Sequence, residues 1–248
     1  MISVIIPTYN ERANVERATV AIEEALQPLK IPFEIIFVDD KSPDGTGELV
    51  QKLSSTHHPS VRLVEKEKKE GIGAAHMAGF AAARGDIFMT IDADLSQNPY
   101  DLVRFKEALD GGLDLVIGSR YTKGGAMHGK SRLRYGGSLG MNFLSRILLG
   151  VPYTDASHTF RAFRREIYDR AKMRIRSKGH PAFTIEFTYR AHRLHYRIGE
   201  IPVLFQERSE GYGDSKVNIV REVPRYLWCL LELRFESFGN LIRRKEVS

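Results

Sequence analysis

Carboxylates gather after three short apolar runs in the first half of the chain. Residues 2–6 lead into Pro7-Thr8-Tyr9-Asn10-Glu11, residues 33–38 into Asp39-Asp40-Lys41-Ser42-Pro43-Asp44-Gly45-Thr46, and residues 87–91 into Asp92-Ala93-Asp94. Like charges repel, so a cation or a donor-rich ligand is the physical reason to keep them together. Asp92 and Asp94 stand two positions apart. At an irregular strand end, two such side chains converge if the chain turns between them. A hard divalent ion, Mg2+ or Mn2+, takes oxygen ligands of this kind, one or two carboxylates with substrate phosphates beside them. The competing reading is a capped turn, with Asp94 or Ser96 starting the helix that follows.

Chemistry at these residues needs elements that carry them to one edge. Buried strands are predicted at residues 2–7, 33–38, 61–64, 87–91 and 115–117. Helices are predicted between them, over 14–29, 44–53, 71–83 and around 99–109. The first repeats Val15, Ala18, Ile22, Ala25, Leu26 and Leu29 at helical spacing, and the second opens on a capping Asp44. Continuous apolar strands interleaved with helices imply an α/β fold, a parallel sheet covered on both faces. Such sheets bind ligands at the carboxyl ends of their strands, where the acidic turns lie. The second half predicts helices over 132–149 and 183–194 and a strand over 160–163. An alternating edge strand over 198–205 follows, then a long amphipathic stretch over 217–242 containing Pro224. With no internal repeat and no Gly/Ser/Pro-rich linker, residues 1–248 read as one domain.

With 248 residues, 42% apolar and 27% charged, the composition excludes disorder, collagen-like repetition and a disulfide scaffold. The lone Cys229 points to a reducing compartment and removes a zinc–cysteine site. The longest uninterrupted apolar run is residues 226–231, too short to span a bilayer. No basic segment precedes the first apolar one, so a cytoplasmic location is expected. Residues 1–119 hold 12 Lys and Arg against 19 Asp and Glu, whereas residues 120–248 hold 25 against 12. The basic half either meets an anionic partner or presents a solvated face. Nucleic acid is not the expected partner, because aromatic and basic residues do not interleave on a predicted sheet face. Gly71-Ile72-Gly73 lacks the third glycine of a dinucleotide site.

Five motifs occur in order. They are Pro7-Thr8-Tyr9-Asn10-Glu11, Val38-Asp39-Asp40 with Ser42-Pro43-Asp44-Gly45-Thr46, Asp92-Ala93-Asp94-Leu95-Ser96, Gly118-Ser119-Arg120-Tyr121 and Gly199-Glu200-Ile201-Pro202. Over roughly residues 1–220 the chain resembles the dolichol-phosphate mannose synthases and their bacterial polyprenyl-phosphate relatives, within glycosyltransferase family 2. The resemblance implies a GT-A fold, a Rossmann-like, mostly parallel sheet with helices on both faces. Residues 1–120 would form the nucleotide-sugar half, 121–216 the acceptor half and 217–248 a basic amphipathic helical segment. It also implies a nucleotide-sugar donor, foremost GDP-mannose, a divalent ion, and inversion onto a polyprenyl or dolichyl monophosphate.

Carried over by residue, the resemblance assigns Pro7, Tyr9, Glu11, Val38 and Asp40 to the nucleoside. Asp92, Ala93 and Asp94 go to the diphosphate and metal, with Asp94 the most direct ligand. Arg120 goes to the sugar or its phosphates, Arg208 and Lys216 to a loop over the diphosphate, and Arg134 to the acceptor phosphate. The residue types suit these roles: Tyr9 can stack on a base, and arginine makes bidentate phosphate contacts. Structural alternatives are that Pro7 ends a strand, Tyr9 is core, and Arg120 pairs with Asp114. The chain departs from the family in a longer Arg208–Lys216 loop. It also has Ser96 where many relatives have Gln, His158 in place of a small residue, and Leu139 where dolichol enzymes often have Arg.

A phosphate acceptor, with a second pKa of about 6, is already ionised near neutrality and needs no strong base. Lys130, Arg132 and Arg134 would orient it. A hydroxyl acceptor would need a base, for which Asp155 and Glu186 are the candidates. A UDP-hexose donor and an inactive nucleotide-sugar-binding subunit are the other rivals. In residues 217–245, Val220, Val223, Leu227, Leu230, Leu231, Phe235 and Phe238 stand among Arg221, Arg225, Arg234, Arg243, Arg244 and Lys245. Such a helix fits the surface of an anionic membrane. Peripheral attachment at the cytoplasmic face is expected, directly or through a membrane partner subunit. Packing onto the domain is the alternative.

Overall fold

The computed structural model describes residues 1–56, 60–129, 132–179, 182–206 and 219–245. The first half alternates β1 (Ile2–Thr8), α1 (Arg12–Leu26), β2 (Phe33–Asp39), α2 (Thr46–Thr56), β3 (Val61–Glu65), α3 (Ile72–Ala82), β4 (Ile87–Thr90), α4 (Asp101–Asp110) and β5 (Leu115–Ser119). Then come β6 (Ala126–His128), α5 (Arg132–Leu149), β7 (Arg161–Arg164), α6 (Arg165–Ala171), α7 (Phe183–Arg193), β8 (Ile198–Pro202), β9 (Leu204–Gln206) and α8 (Ile219–Lys245). The helix expected over 14–29 stops at Leu26 and tightens into a 3-10 turn holding Pro28, which has no N–H to continue the ladder.

Seven strands form one sheet in the order β3-β2-β1-β4-β7-β5-β8. All run parallel except β7, which is antiparallel to both neighbours. The core residues alternate between faces: Ile5, Ile36, Val38, Phe88 and Ile117 pack on one side, and Val4, Ile6, Ile35, Phe37, Met89 and Val116 on the other. That period of two explains why the strands read as unbroken apolar runs. α3 lies close to the sheet at Gly79, where a Cβ would come within 2.5 Å of the Ile5 side chain.

Two expectations are corrected. The single strand expected over 198–205 is two: β8 pairs with β5 at the sheet edge, and β9 pairs with β6 in a separate ribbon. Pro202 has no N–H to extend the first ladder, and Val203 N–H donates to Ser119 O as the chain leaves it. The stretch expected to offer one apolar face also divides. Tyr226, Leu230 and Leu233 of α8 are buried against the domain, while Trp228, Leu231 and Phe235 face outward. β6 and α6 had no sequence signal strong enough to assign. Among the described residues no helix is long and apolar enough to cross a membrane.

Two imidazoles are buried in these layers. His76 stacks on Phe183 with its Nδ1 2.9 Å from Ile72 O. His158 lies edge-on to Phe160 with its Nδ1 2.5 Å from Gly118 O. Burial pushes them down from 6.5, to about 4 for His76 and about 3 for His158. Below pH 6.5 the unfolded chain therefore takes up protons that the folded chain refuses. Stability is complete above 6.5 and falls with acidification, by about 1.4 kcal/mol per pH unit for each histidine. Urea unfolding at pH 7, 6 and 5 should show that slope, and His76→Leu should remove about half of it. An unchanged slope in the variant would contradict this account.

Candidate active site

The three acidic turns meet at the carboxyl edge of β1, β2 and β4. Each contains a non-glycine residue in the left-handed region: Asn10 (φ 57°), Lys41 (φ 57°) and Leu95 (φ 56°). Asparagine tolerates this conformation, but for Leu95 it costs about 1–2 kcal/mol, which the surrounding bonds must offset. Thr8 ties the first two turns together, donating from Oγ1 to Val38 O (3.2 Å) and Asp39 Oδ1 (3.1 Å). Asn10 N–H donates to Ser42 Oγ, and Glu11 N–H to Thr46 Oγ1.

Protein donors meet much of the acidic edge. Asp39 accepts Ser42 Oγ–H at 2.6 Å and Ser42 N–H at 2.8 Å. Asp44 accepts Thr46 N–H, Thr46 Oγ–H and Arg12 N–H, which together hold its carboxyl below the usual range against the opposing effect of burial. Asp40 pairs with Lys66 at 2.9 Å. Glu11 accepts Asn14 Nδ2–H at 2.8 Å. Pro7 lies within β1 beside Val38 of β2; Val38 is fully buried, its side chain in the core and its carbonyl accepting from Thr8 Oγ1. Tyr9 is half-buried beneath the Lys69 ammonium.

At the third turn, Gln97 holds Asp92 at both ends. Its Oε1 accepts Asp92 N–H (2.8 Å), and its Nε2–H donates to Asp92 Oδ2 (2.7 Å). Asp94 Oδ1 accepts Ser96 N–H at 3.0 Å. The turn of the competing reading is thus present, yet the next helix starts only at Asp101. Ala93 is buried. Among the described residues, no three His, Cys, Asp or Glu side chains gather as a cage for an ion. The donor set nevertheless fits Mg2+ or Mn2+, which bind through one or two carboxylates and finish their shell with phosphate and water. Beside the two aspartates, the buried Ser96 Oγ has no hydrogen-bond partner, as a hydroxyl awaiting such a ligand would.

Arg120 sits at the exit of β5 and pairs with Asp155, not with Asp114. Its Nε donates to Asp155 Oδ2 and its second terminal nitrogen to Oδ1, both at 2.7 Å, and both residues are buried. Burial alone would favour the neutral forms, but the mutual bonds win: Arg120 is raised and Asp155 lowered from their ordinary values. Asp114 instead meets Arg197 (3.4 Å) and Arg164 (3.6 Å). Glu200 of the fifth motif locks the turn that carries Asp155, accepting Thr154 N–H, Thr154 Oγ–H and Asp155 N–H within 2.9 Å. Sequence reasoning missed Gln97, Glu200 and Lys66 as positioning groups. Only Glu200 had a signal, its place in a motif. Arg134 lies on the first turn of α5, with its side chain outside the described residues, as are Arg208 and Lys216.

The Glycosyl transferase family 2 model matches residues 3–171. A polyprenol monophosphomannose synthase of Mycolicibacterium smegmatis is 38% identical over 223 residues, covering 88% of this chain and 82% of that protein. A dolichol-phosphate mannosyltransferase of Pyrococcus furiosus is 35% identical over 234 residues, 93% of this chain. The match spans 64% of that protein, just under two thirds of its length. Among solved structures, a Pyrobaculum calidifontis mannosyltransferase in complex with GDP-Man and Mn2+ superposes with a TM-score of 0.58 at 22% identity, over 85% of this chain and 58% of that one. That likeness establishes the GT-A fold. With the acidic strand ends and the ordered motifs, these matches place the chain in glycosyltransferase family 2.

Proposed function

We propose that the protein transfers a hexose, mannose from GDP-mannose, to a polyprenyl or dolichyl monophosphate with inversion, at the cytoplasmic face of a membrane. The observation that carries the acceptor is the state of the two candidate bases. Asp155 is consumed by Arg120. Glu186 is fully buried, pairs with Arg190 at 2.6 Å, and also accepts Arg176 N–H and Ser177 N–H. Neither is placed to take a proton from a hydroxyl, whereas a phosphate acceptor asks for none. The names of the two relatives agree with this acceptor.

In this reading Tyr9 stacks on the base, and Glu11 and Asp40 accept from base or ribose donors, with Pro7 and Val38 lining the corner. Asp92 and Asp94 face the diphosphate and hold Mg2+ or Mn2+, with Ala93 between them. The ion, when bound, supplies Lewis-acid and electrostatic stabilisation of the leaving group. Arg208 and Lys216 add positive charge as the bond between the anomeric carbon and the diphosphate oxygen breaks. Arg134 orients the acceptor phosphate, whose oxygen forms the new bond to that carbon from the opposite side. Asp155 keeps Arg120 charged and aimed beside the sugar.

The membrane contact has support on two helices. α5 exposes Leu139, Phe143 (59%) and Ile147 (60%) at i, i+4 and i+8, while α8 exposes Trp228 (66%) and Phe235 (68%). Exposed apolar stripes in a basic setting suit an anionic bilayer surface. Incubation with GDP-[14C]mannose, Mn2+ and phosphatidylcholine–phosphatidylglycerol vesicles containing polyprenyl phosphate tests both parts. Label should pass into organic solvent, and the protein should float with the vesicles. Phe143→Ser with Trp228→Ser should abolish flotation. Label remaining wholly in water would end the acceptor assignment.

A further inference from the structure

At the nucleoside corner one segment has no role in this reading. Lys66-Glu67-Lys68-Lys69-Glu70 joins β3 to α3 and reaches two of the residues given there to the nucleoside. Lys66 Nζ lies 2.9 Å from Asp40 Oδ1 and 3.4 Å from Glu70 Oε2, and Lys66 N–H donates to Asp39 O at 2.9 Å. Lys69 Nζ stands 3.7 Å from the centre of the Tyr9 ring. The far end is seated at Gly71 (φ 97°), where a Cβ would come within 2.6 Å of Gly179 O. Held at both ends, the segment lays an ammonium on the face of a ring that is to receive a base.

We propose that Lys69 is a nucleoside-binding residue: the base enters between the Tyr9 ring and the Lys69 ammonium, and the lysine then covers it from the far side. The inference rests on the assignment of Tyr9 and Asp40 to the nucleoside. Its physical basis is an exchange of like contacts. A cation over an exposed aromatic face is weakly held, and its flexible stem can lift. The incoming base offers its own π-face to the ammonium while stacking on Tyr9, so the cation–π contact is kept and a stacking contact is gained. Lys66 is the positioning residue, since it anchors the segment and holds Asp40 in place.

The full-length protein should be titrated calorimetrically with guanosine and with GDP, as wild type and as Lys69→Ala, Lys69→Arg and Tyr9→Ala. Lys69→Ala should weaken both ligands alike, by about two- to fivefold, with Lys69→Arg restoring affinity. Tighter binding by Lys69→Ala would make the lysine a plug, and weakening for GDP alone would make it a phosphate contact. Either result overturns the proposal. So does no change in Lys69→Ala alongside lost affinity in Tyr9→Ala, which leaves the nucleoside assignment standing. If wild type binds neither ligand, that assignment falls and the proposal with it.

Discussion

Asp94→Asn is expected to lower sugar transfer by about 10²–10³-fold, the usual loss when one stabiliser of developing charge is removed. The fold should survive, because asparagine keeps an oxygen where Asp94 Oδ1 accepts Ser96 N–H. Mn2+ affinity, followed by electron paramagnetic resonance, should fall in the variant, and EDTA should silence the wild type until Mn2+ is returned. Undiminished transfer by Asp94→Asn, together with indifference to EDTA, would remove the ion from the mechanism. Gln97→Leu gives an internal comparison. It releases Asp92 at both ends, so it should weaken Mn2+ binding and transfer together while leaving the Asp94 carboxylate intact.

Asp155→Ala should be among the most destabilising single changes in the chain. It strands the Arg120 guanidinium in a buried site, a defect of about 3–5 kcal/mol. For a domain of this size that lowers Tm by roughly 10 °C. Removing both charges together, Arg120→Met with Asp155→Leu, should restore part of the loss, because a buried ion pair adds little over apolar residues of like volume, while the backbone N–H of residue 120 that Asp155 also accepts stays without its partner. The double variant should nevertheless transfer no sugar, which separates the role at the donor proposed for Arg120 from its part in stability. If the double variant is as unstable as the single one, the ion pair is not the origin of the effect. The pair has its own pH signature. Asp155 is held below its ordinary 3.8, so its contribution is complete above about pH 4 and lost as pH falls through the lowered value. The acid slope between pH 6.5 and 4 therefore belongs chiefly to the fully buried His76 and His158, with a smaller share from the partly buried His192, which burial also holds below 6.5.

The placement of the candidate site was legible because its signals are local. An apolar run of strand length followed by Pro7–Glu11, Asp39–Asp44 or Asp92–Asp94 specifies a strand and the turn at its end within ten residues or so of chain. A parallel sheet then brings those turns to one edge. The same locality made α5 legible over its whole length, from Arg132 to Leu149. Where a signal depended on how side chains meet in the folded turn, or on a distant partner, the sequence was silent. Gln97 looks like any polar loop residue until its amide meets Asp92, and Lys66 looks like part of a solvated charge run until it meets Asp40, 26 residues away. α8 shows the same limit, because apolar residues on opposite faces of one helix have the same composition as a single broad stripe. Only packing against the domain separates Leu230 from Leu231.

By itself the sequence determined the alternation of strands and helices, the edge at which acidic turns collect, and the residue types able to hold an ion and a diphosphate. Tertiary structure decided which of those carboxylates remain for chemistry and which serve as braces. Asp39 and Asp44 brace turns, Asp155 braces Arg120 across 35 residues, and Glu186 braces Arg190. The reason is that a carboxylate's role depends on the donors that reach it and on how far burial has removed water. Asp155 meets its partner only because the folded sheet brings Arg120 to it from 35 residues away. Asp39, Asp44 and Glu186 are instead braced by donors two to four residues along the chain, whose hold depends on the burial that the sheet and its covering helices supply.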